Sequence, residues 1–260
     1  MSDYVILIPA RRAATRLPDK PLRPLAGRAL IAHVVERARR CLGARVVLAV
    51  DDPAVAEAAG EVEWVLTDPS LPSGSDRIAA AAQALGLDAE TIVVNLQGDE
   101  PFAPPEAPPR LAGLLRESGC PVATLARPIE RAQEIFDPDC VKVVCDRNGR
   151  ALYFSRAPIP WARDHFAHDQ LRIPEGGLWL RHIGIYAYRA GFLAAFARLP
   201  ISPLERIEAL EQLRMLEAGE AIAVGRWESP WPAGVDNEAD LARAEALLRG
   251  SMASHAPASG

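Results

Sequence analysis

Long apolar runs are scarce in this chain. The opening one, Tyr4 to Pro9, is far shorter than the roughly 20 residues a membrane-spanning helix needs. It also lacks the basic start and small-residue cleavage site of a signal peptide. A soluble, cytoplasmic protein without membrane insertion is the expectation. Basic charge is short as well: 29 Lys and Arg against 34 Asp and Glu leave a formal net charge of -5. General nucleic-acid binding needs a broad basic face to neutralise phosphates, so that class is set aside, while a local basic site for a small anion stays open. The four cysteines, Cys41, Cys120, Cys140 and Cys145, form no C-x-x-C pair and have no His at zinc-ligand spacing. Neither disulfides nor structural zinc are expected. The loop after the opening run matches neither G-x-x-x-x-G-K-[ST] nor G-x-G-x-x-G, which argues against an ordinary P-loop or dinucleotide site. Internal repeats and low-complexity linkers are absent too.

With 260 residues, 49% of them hydrophobic, the chain is long enough to bury the core of one large α/β domain. Short β-branched runs at 4–9, 45–52, 64–66 and 91–97 alternate with segments of helical spacing at 28–40, 75–86 and about 105–118. That alternation predicts right-handed βαβ units and a parallel sheet. From about residue 121 the texture changes. Strand-like stretches at 121–128, 141–146, 150–156 and 180–189 follow without a helix between each pair, which predicts a mixed sheet. Helical spacing returns at 202–219 and 237–250, around a strand near 220–227, and the small, polar residues 251–260 read as a disordered tail.

Four constellations carry chemistry. "ARRAATRLPDKPL", residues 10–22, places Arg11, Arg12, Arg16 and Lys20 at the carboxyl end of a first strand, where ligands bind in open α/β sheets. Arg forks and a Lys point charge suit a polyphosphate, although a solvated loop explains the charge equally well. "VVNLQGDEP" ends a strand in Gln97, Gly98 and Asp99, and "GVDNEADL" offers Asp236 ahead of a helix that Asn237 caps, with Asp240 at the third position. Two carboxylates beside those cations would suit Mg²⁺, which takes hard oxygens from one or two carboxylates, phosphates and water. "PSGSDR" supplies Ser73, Gly74 and Ser75 ahead of Arg77; it reads either as a base-contacting turn or as a helix N-cap. Last, alternation in "RHIGIYAYR" lines His182, Gly184, Tyr186 and Tyr188 along one strand face, and Glu211 falls on the apolar stripe of the helix predicted at 203–218, where a charge needs a partner or ligand.

These stretches, with "VKVVCDRNGRALYFSRAPIPW" and "SPLERIEALEQLRMLEAG", follow one another from residue 8 to 241. Together they resemble the 3-deoxy-manno-octulosonate cytidylyltransferase family nearly end to end. The resemblance implies a nucleotide-diphospho-sugar transferase fold, Rossmann-like and of the GT-A type, in three layers around a mostly parallel mixed sheet. It implies transfer of CMP from CTP to 3-deoxy-D-manno-octulosonate (Kdo) with release of pyrophosphate, for lipopolysaccharide biosynthesis, and usually a homodimer. One catalytic domain over 1–250 is expected, with about 121–200 serving sugar binding and dimerisation. Position by position, Arg11 and Lys20 match the triphosphate cations, with Arg16 behind them and Arg12 facing water. Asp99 and Asp236 match the Mg²⁺ ligands, and with Lys20 they form the catalytic set. Ser73, Gly74, Ser75 and Arg77 match the cytidine turn. Arg163, His182, Tyr186, Glu211 and Gln212 match the sugar positions, with Gln97 near both substrates. The chain departs from the family pattern at Ala14, Asp19, Leu71, Ser75 and Asn237, where Ser, Gly, His, Thr and Thr are expected. A related acid sugar such as 8-amino-Kdo or sialic acid, and a nucleotide-binding regulator without catalysis, are the alternatives.

Overall fold

A computed structural model describes residues 3–12 and 17–253, and the chain divides into two compact units. The first takes residues up to Leu87, 95–109 and the chain from Trp231 onward. It opens with β1 (Tyr4–Ala10), every residue of which is buried, as an apolar strand covered on both faces should be. A small hairpin of β2 (Pro24–Leu25) and β3 (Arg28–Ala29) leads into α1 (Leu30–Arg39). Then come β4 (Ala44–Val50), α2 (Pro53–Ala59), β5 (Glu63–Leu66) and α3 (Gly74–Ala84). β4 pairs in parallel with β1, Tyr4 opposite Ala44 and Ala10 opposite Val50, and with β5 on its other edge. The expected βαβ order is therefore present. Alternation alone did not announce α2, which starts because the Asp52 side chain accepts from Ala54 N at 2.9 Å ahead of a first-turn proline.

β6 (Ile92–Asn95) follows. Directly beyond it Leu96 N donates to Leu7 O at 3.2 Å, so residues 97–100 emerge beside the carboxyl end of β1. The approach is close: a Cβ on Gly98 would stand 2.7 Å from Pro9 O, a separation real Cβ atoms do not adopt.

The second unit, residues 88–94 and 110–230, holds most of α4 (Ala107–Ser118) and then β7 (Val122–Pro128), α5 (Ala132–Phe136), β8 (Lys142–Cys145) and β9 (Ala151–Ser155). α6 (Arg163–Phe166), β10 (Leu180–Arg189), α7 (Ala190–Phe196), α8 (Pro203–Glu208), α9 (Gln212–Glu217) and β11 (Ile222–Arg226) complete it. β10 runs antiparallel to β7 and β8, β8 antiparallel to β9, and β11 parallel to β7. This is the mixed sheet predicted from residue 121, and the molecule has the expected α/β class with a mostly parallel sheet. α10 (Glu238–Ala253) belongs to the first unit, where Leu241 and Ala244 pack with Leu17, Leu25, Leu30 and Val235. It takes up residues 251–253 of the expected tail; 254–260, like Arg16 and Ala14, lie outside the described residues.

One predicted element is corrected. The single helix at 203–218 is two, α8 and α9, broken where Ala209 adopts left-handed φ 51° and ψ 50°. A buried ion pair supplies the reason. Arg214 donates from Nε and Nη2 to the two Glu205 carboxylate oxygens at 2.7 and 2.6 Å, with its guanidinium 4.7 Å over the Phe196 ring. In a straight helix, residues nine apart lie roughly 13 Å apart along the axis and on opposite faces. The chain must therefore fold back for these two to meet, and Leu204 N donating to Glu217 Oε2 at 3.2 Å closes the same return. Ser202 and Glu205 form a capping box that fixes where α8 begins.

Stranding one partner of a buried pair costs about 3–5 kcal/mol, whereas replacing both by apolar groups costs little. Denaturant unfolding of Glu205→Ala should show a loss of that size, and Glu205→Leu combined with Arg214→Met should recover most of it. Equal losses in the single and double variants would contradict the account of the break.

Candidate active site

In the first unit the Lys20 ammonium lies between two carboxylates from remote segments. Nζ donates to Asp99 Oδ2 at 2.6 Å and to Asp236 Oδ1 at 2.8 Å. Lys20 starts a single 3₁₀ turn, Lys20–Leu22, after Asp19, and its side chain is only 15% exposed. Burial disfavours its charge, but the Asp99 charge and the hydrogen bonds to both carboxylates outweigh that and raise its pKa. The carboxylates are fixed by their own chain. Val235 N donates to Asp99 O at 2.9 Å, which sews the 99–100 loop to the segment carrying Asp236. Gly234 makes room, since a Cβ there would stand 2.9 Å from both Asp99 O and Glu100 Oε1. Asp236 N donates back to Asp240 Oδ2 at 3.0 Å, while Asn237 Oδ1 accepts from Asp240 N at 3.0 Å, the N-cap read from the sequence. Two carboxylate oxygens converging on one cationic centre are a hard-oxygen set of the kind Mg²⁺ uses beside substrate phosphates. Among the described residues no group of three or more His, Cys, Asp or Glu gathers as a metal site.

Glu100 was not singled out from the sequence, because its neighbour Asp99 carries the more obvious role. Its half-buried carboxyl accepts from Trp231 Nε1 at 3.0 Å. Burial, and secondarily the Asp99 charge, raise its pKa to about 7. The Glu100–Trp231 bond is a second tie between the same two segments, and nothing in the sequence around Trp231 marks it.

The opening loop divides. Arg11 is exposed. Arg12, expected to face water, is exposed but paired: Nε donates to Asp19 Oδ1 and Nη1 to Asp52 Oδ2, each at 2.8 Å, and its backbone N donates to Asp51 Oδ1 at 2.9 Å. Asp19 takes left-handed φ 53°, a conformation that suits the glycine of the family pattern and that Asp tolerates. Its carboxylate meets Arg12, away from the Lys20 ammonium.

The "PSGSDR" turn caps α3. Asp76 N donates to Ser73 Oγ at 3.1 Å, and that hydroxyl donates to Asp76 Oδ2 at 2.7 Å. A Cβ on Gly74 would lie 3.4 Å from Gln97 Oε1 and 3.5 Å from Pro9 Cγ, so Gly74 and Gln97 are neighbours at the end of β1. Ser75 is buried. Arg77 is 2% exposed, donates to Thr67 Oγ1 and lies 3.5 Å from Asp51 Oδ2. Burial lowers its pKa, the Asp51 charge opposes this, and the nearby Arg11 charge adds to the lowering. Its guanidinium is spent inside the protein, a role that residue type and spacing do not reveal.

In the second unit β10 carries the expected ring face. His182, Tyr186 and Tyr188 follow one another with centroids 5.3 and 5.7 Å apart, and Phe154 meets His182 edge-on at 5.0 Å. The alternation is interrupted: Ile183 faces Leu125 and Tyr186 faces Thr124, so Gly184 and Ile185 form a bulge against β7. Among the described residues the buried Tyr186 hydroxyl and Gln212 Nε2 have no hydrogen-bond partner. Burial raises the Tyr186 pKa, as do the charges of Tyr188 and Glu211, which places Glu211 near the same rings. Glu211 is half-buried at the first turn of α9, beside Gln212, and not on a continuous apolar stripe; Ile207, meant to belong to that stripe, is 81% exposed. Arg163 is not drawn in: its side chain is 92% exposed and its ion partner is Asp164 at 3.7 Å. Loss of water around the half-buried His182 ring, packed on Phe154 and Tyr186, pushes its pKa down to about 3, so the ring is neutral.

Comparison with known proteins places these residues in context. A family model described as "Cytidylyltransferase" matches residues 5–222. A 3-deoxy-manno-octulosonate cytidylyltransferase of Xanthomonas oryzae pv. oryzae is 53% identical, over 95% of this chain and 96% of its own length. One from Stenotrophomonas maltophilia is 50% identical over 96% and 98%. A solved CMP:2-keto-3-deoxy-manno-octonic acid synthetase complexed with CTP superposes with a TM-score of 0.85 at 38% identity, covering 95% of this chain and 99% of that one.

A neutral His182 bears on stability. Its pKa is lower folded than unfolded, so the stability it contributes is present above about pH 6.5 and is lost as the pH falls towards about 3. Stability should decline on acidification in this window by up to ~1.4 kcal/mol per pH unit from this group. His182→Gln should flatten that share of the slope, as read from urea midpoints across pH. An unchanged slope in the variant would contradict the assignment.

Proposed function

Because the chain belongs to the 3-deoxy-manno-octulosonate cytidylyltransferase family, we propose that it transfers CMP from CTP to Kdo and releases pyrophosphate. The observation that carries the chemistry is the Lys20 ammonium held between Asp99 and Asp236 at 2.6 and 2.8 Å, in the same segments that carry the family resemblance. In this reading the anomeric hydroxyl of Kdo attacks the α-phosphorus of CTP in line, and catalysis is positioning and charge stabilisation.

Arg11 and Lys20 bind the triphosphate, and charge building on the departing pyrophosphate falls to the Lys20 ammonium. Asp99 and Asp236 would hold Mg²⁺ through their carboxylate oxygens. When bound, Mg²⁺ neutralises phosphate charge and offsets the repulsion between two anionic substrates. Gly74 and Gln97, neighbours beside Pro9, contact the nucleotide, and the α3 cap on Ser73 sets the path of that turn; Arg77 supports it from inside through Asp51 and Thr67. In the second unit the unpaired Tyr186 hydroxyl and Gln212 amide, with His182 and Glu211, bind the polyhydroxylated sugar acid. The same reading makes the enzyme a homodimer of the cytoplasm that serves lipopolysaccharide biosynthesis, and among the described residues no helix is long and apolar enough to cross a membrane.

The test is pyrophosphate release from CTP and from the other nucleoside triphosphates, with and without Kdo and Mg²⁺. Release should require CTP, Kdo and Mg²⁺ together. Asp99→Ala and Asp236→Ala should each lower kcat by at least ~10²-fold, the scale of one lost electrostatic stabiliser, with the circular dichroism spectrum unchanged. Wild-type turnover in either variant would refute the metal assignment.

A further inference from the structure

Thr124 lies in β7 opposite Tyr186 and is completely buried. Three atoms lie within hydrogen-bond distance of its hydroxyl oxygen, Ile185 O at 2.8 Å, Ile183 O at 3.2 Å and His182 Nε2 at 3.0 Å, and the Tyr186 hydroxyl, which can itself donate, approaches the same group. All three belong to the bulged stretch of β10. A threonine hydroxyl has one proton to give. If it went to His182, the hydroxyl oxygen would face two carbonyl oxygens, one at 2.8 Å, with no proton between them. A buried oxygen pair at that distance is repulsive, so the proton lies on the line to Ile185 O, shared with Ile183 O. The imidazole nitrogen at 3.0 Å must then be the donor.

From this geometry we infer that Thr124 is a positioning residue that locks His182 in the Nε2–H tautomer, leaving Nδ1 as an unprotonated acceptor for a hydroxyl group of the sugar acid. The bulge is what makes the lock possible, because it turns the carbonyls of Ile183 and Ile185, on either side of Gly184, onto a single side chain. The neutrality of the ring agrees, since an imidazolium would donate from both nitrogens. Among the described residues no hydrogen bond engages Nδ1. The lock also gives the cluster a mixed vocabulary: the Gln212 amide nitrogen donates, His182 Nδ1 accepts, and the Tyr186 hydroxyl does either. A ring free to exchange tautomers would present a donor at Nδ1 part of the time and lose that discrimination. The recognition half of this inference rests on the reading of the cluster as the Kdo site; the tautomer half does not.

The experiment has two arms. In protein labelled with ¹⁵N at histidine, and assigned with a His182→Gln control, the wild-type His182 Nε2 should show the shift of a protonated ring nitrogen and Nδ1 that of an unprotonated one. Thr124→Val, which keeps the shape and removes the hydroxyl, should average the two signals, and Thr124→Ser should restore them. In parallel, Thr124→Val should raise KM for Kdo about tenfold, equal to the loss of one ordinary hydrogen bond, with KM for CTP unchanged and Thr124→Ser near wild type. A protonated Nδ1 in the wild type overturns the lock, and this arm decides it even if Thr124→Val does not fold. A Thr124→Val enzyme with wild-type KM for Kdo overturns the role in recognition. Failure of the broader reading is separately visible as wild-type enzyme that does not turn over Kdo, whatever the tautomer spectrum shows.

Discussion

Burial disfavours the Lys20 ammonium, and Asp99 and Asp236 outweigh that penalty from positions 79 and 216 residues further along the chain. Much of the first unit follows from the need to bring those three groups together. Gly98 lets the Asp99 loop lie against Pro9; Gly234, the Val235–Asp99 backbone bond and the Trp231–Glu100 bond press the C-terminal segment onto that loop. The cap at Asn237 then fixes where the helix after Asp236 begins.

The second unit solves a different problem with different means. Where the first gathers charge, the second surrounds a set of buried, mostly neutral polar groups with rings, so that recognition depends on the direction of hydrogen bonds more than on Coulomb attraction. Such a set is stable only if its unsatisfied groups are few and its neighbours are firmly held. The Glu205–Arg214 pair, the capping box and the return of α9 onto α8 hold the turn from which Glu211 and Gln212 project.

Local signals in the sequence were readable because local physics produces them. The strand-helix alternation, the caps at Ser73 and Asn237 and the ring face of β10 each depend on residues a few positions apart. What stayed hidden depends on partners that are far apart in sequence or that break the rule of the element they sit in. Apolar spacing across 203–218 satisfies a helix, and only a nonlocal ion pair shows that the chain must turn at Ala209. Arg77 reads as a ligand-facing cation until Asp51 and Thr67 are seen to claim it, and Arg12 reads as solvated until Asp19 and Asp52 do. Thr124 gave no sign at all, being one buried hydroxyl in an ordinary β-branched strand.

The bulge in β10 adds two residues, Gly184 and Ile185, opposite no partner in β7. The pairing with β7 decides where the rings point: Ala126, Thr124 and Val122 lie on one side of that strand, and His182, Tyr186 and Tyr188 stand opposite them. The extra residues are taken up inside the bulge, which interrupts the alternation of β10 itself, so a change of length there is absorbed as long as the pairing on either side is kept. The ring face is thus addressed by the neighbouring strand, and the count of residues along β10 is the looser constraint.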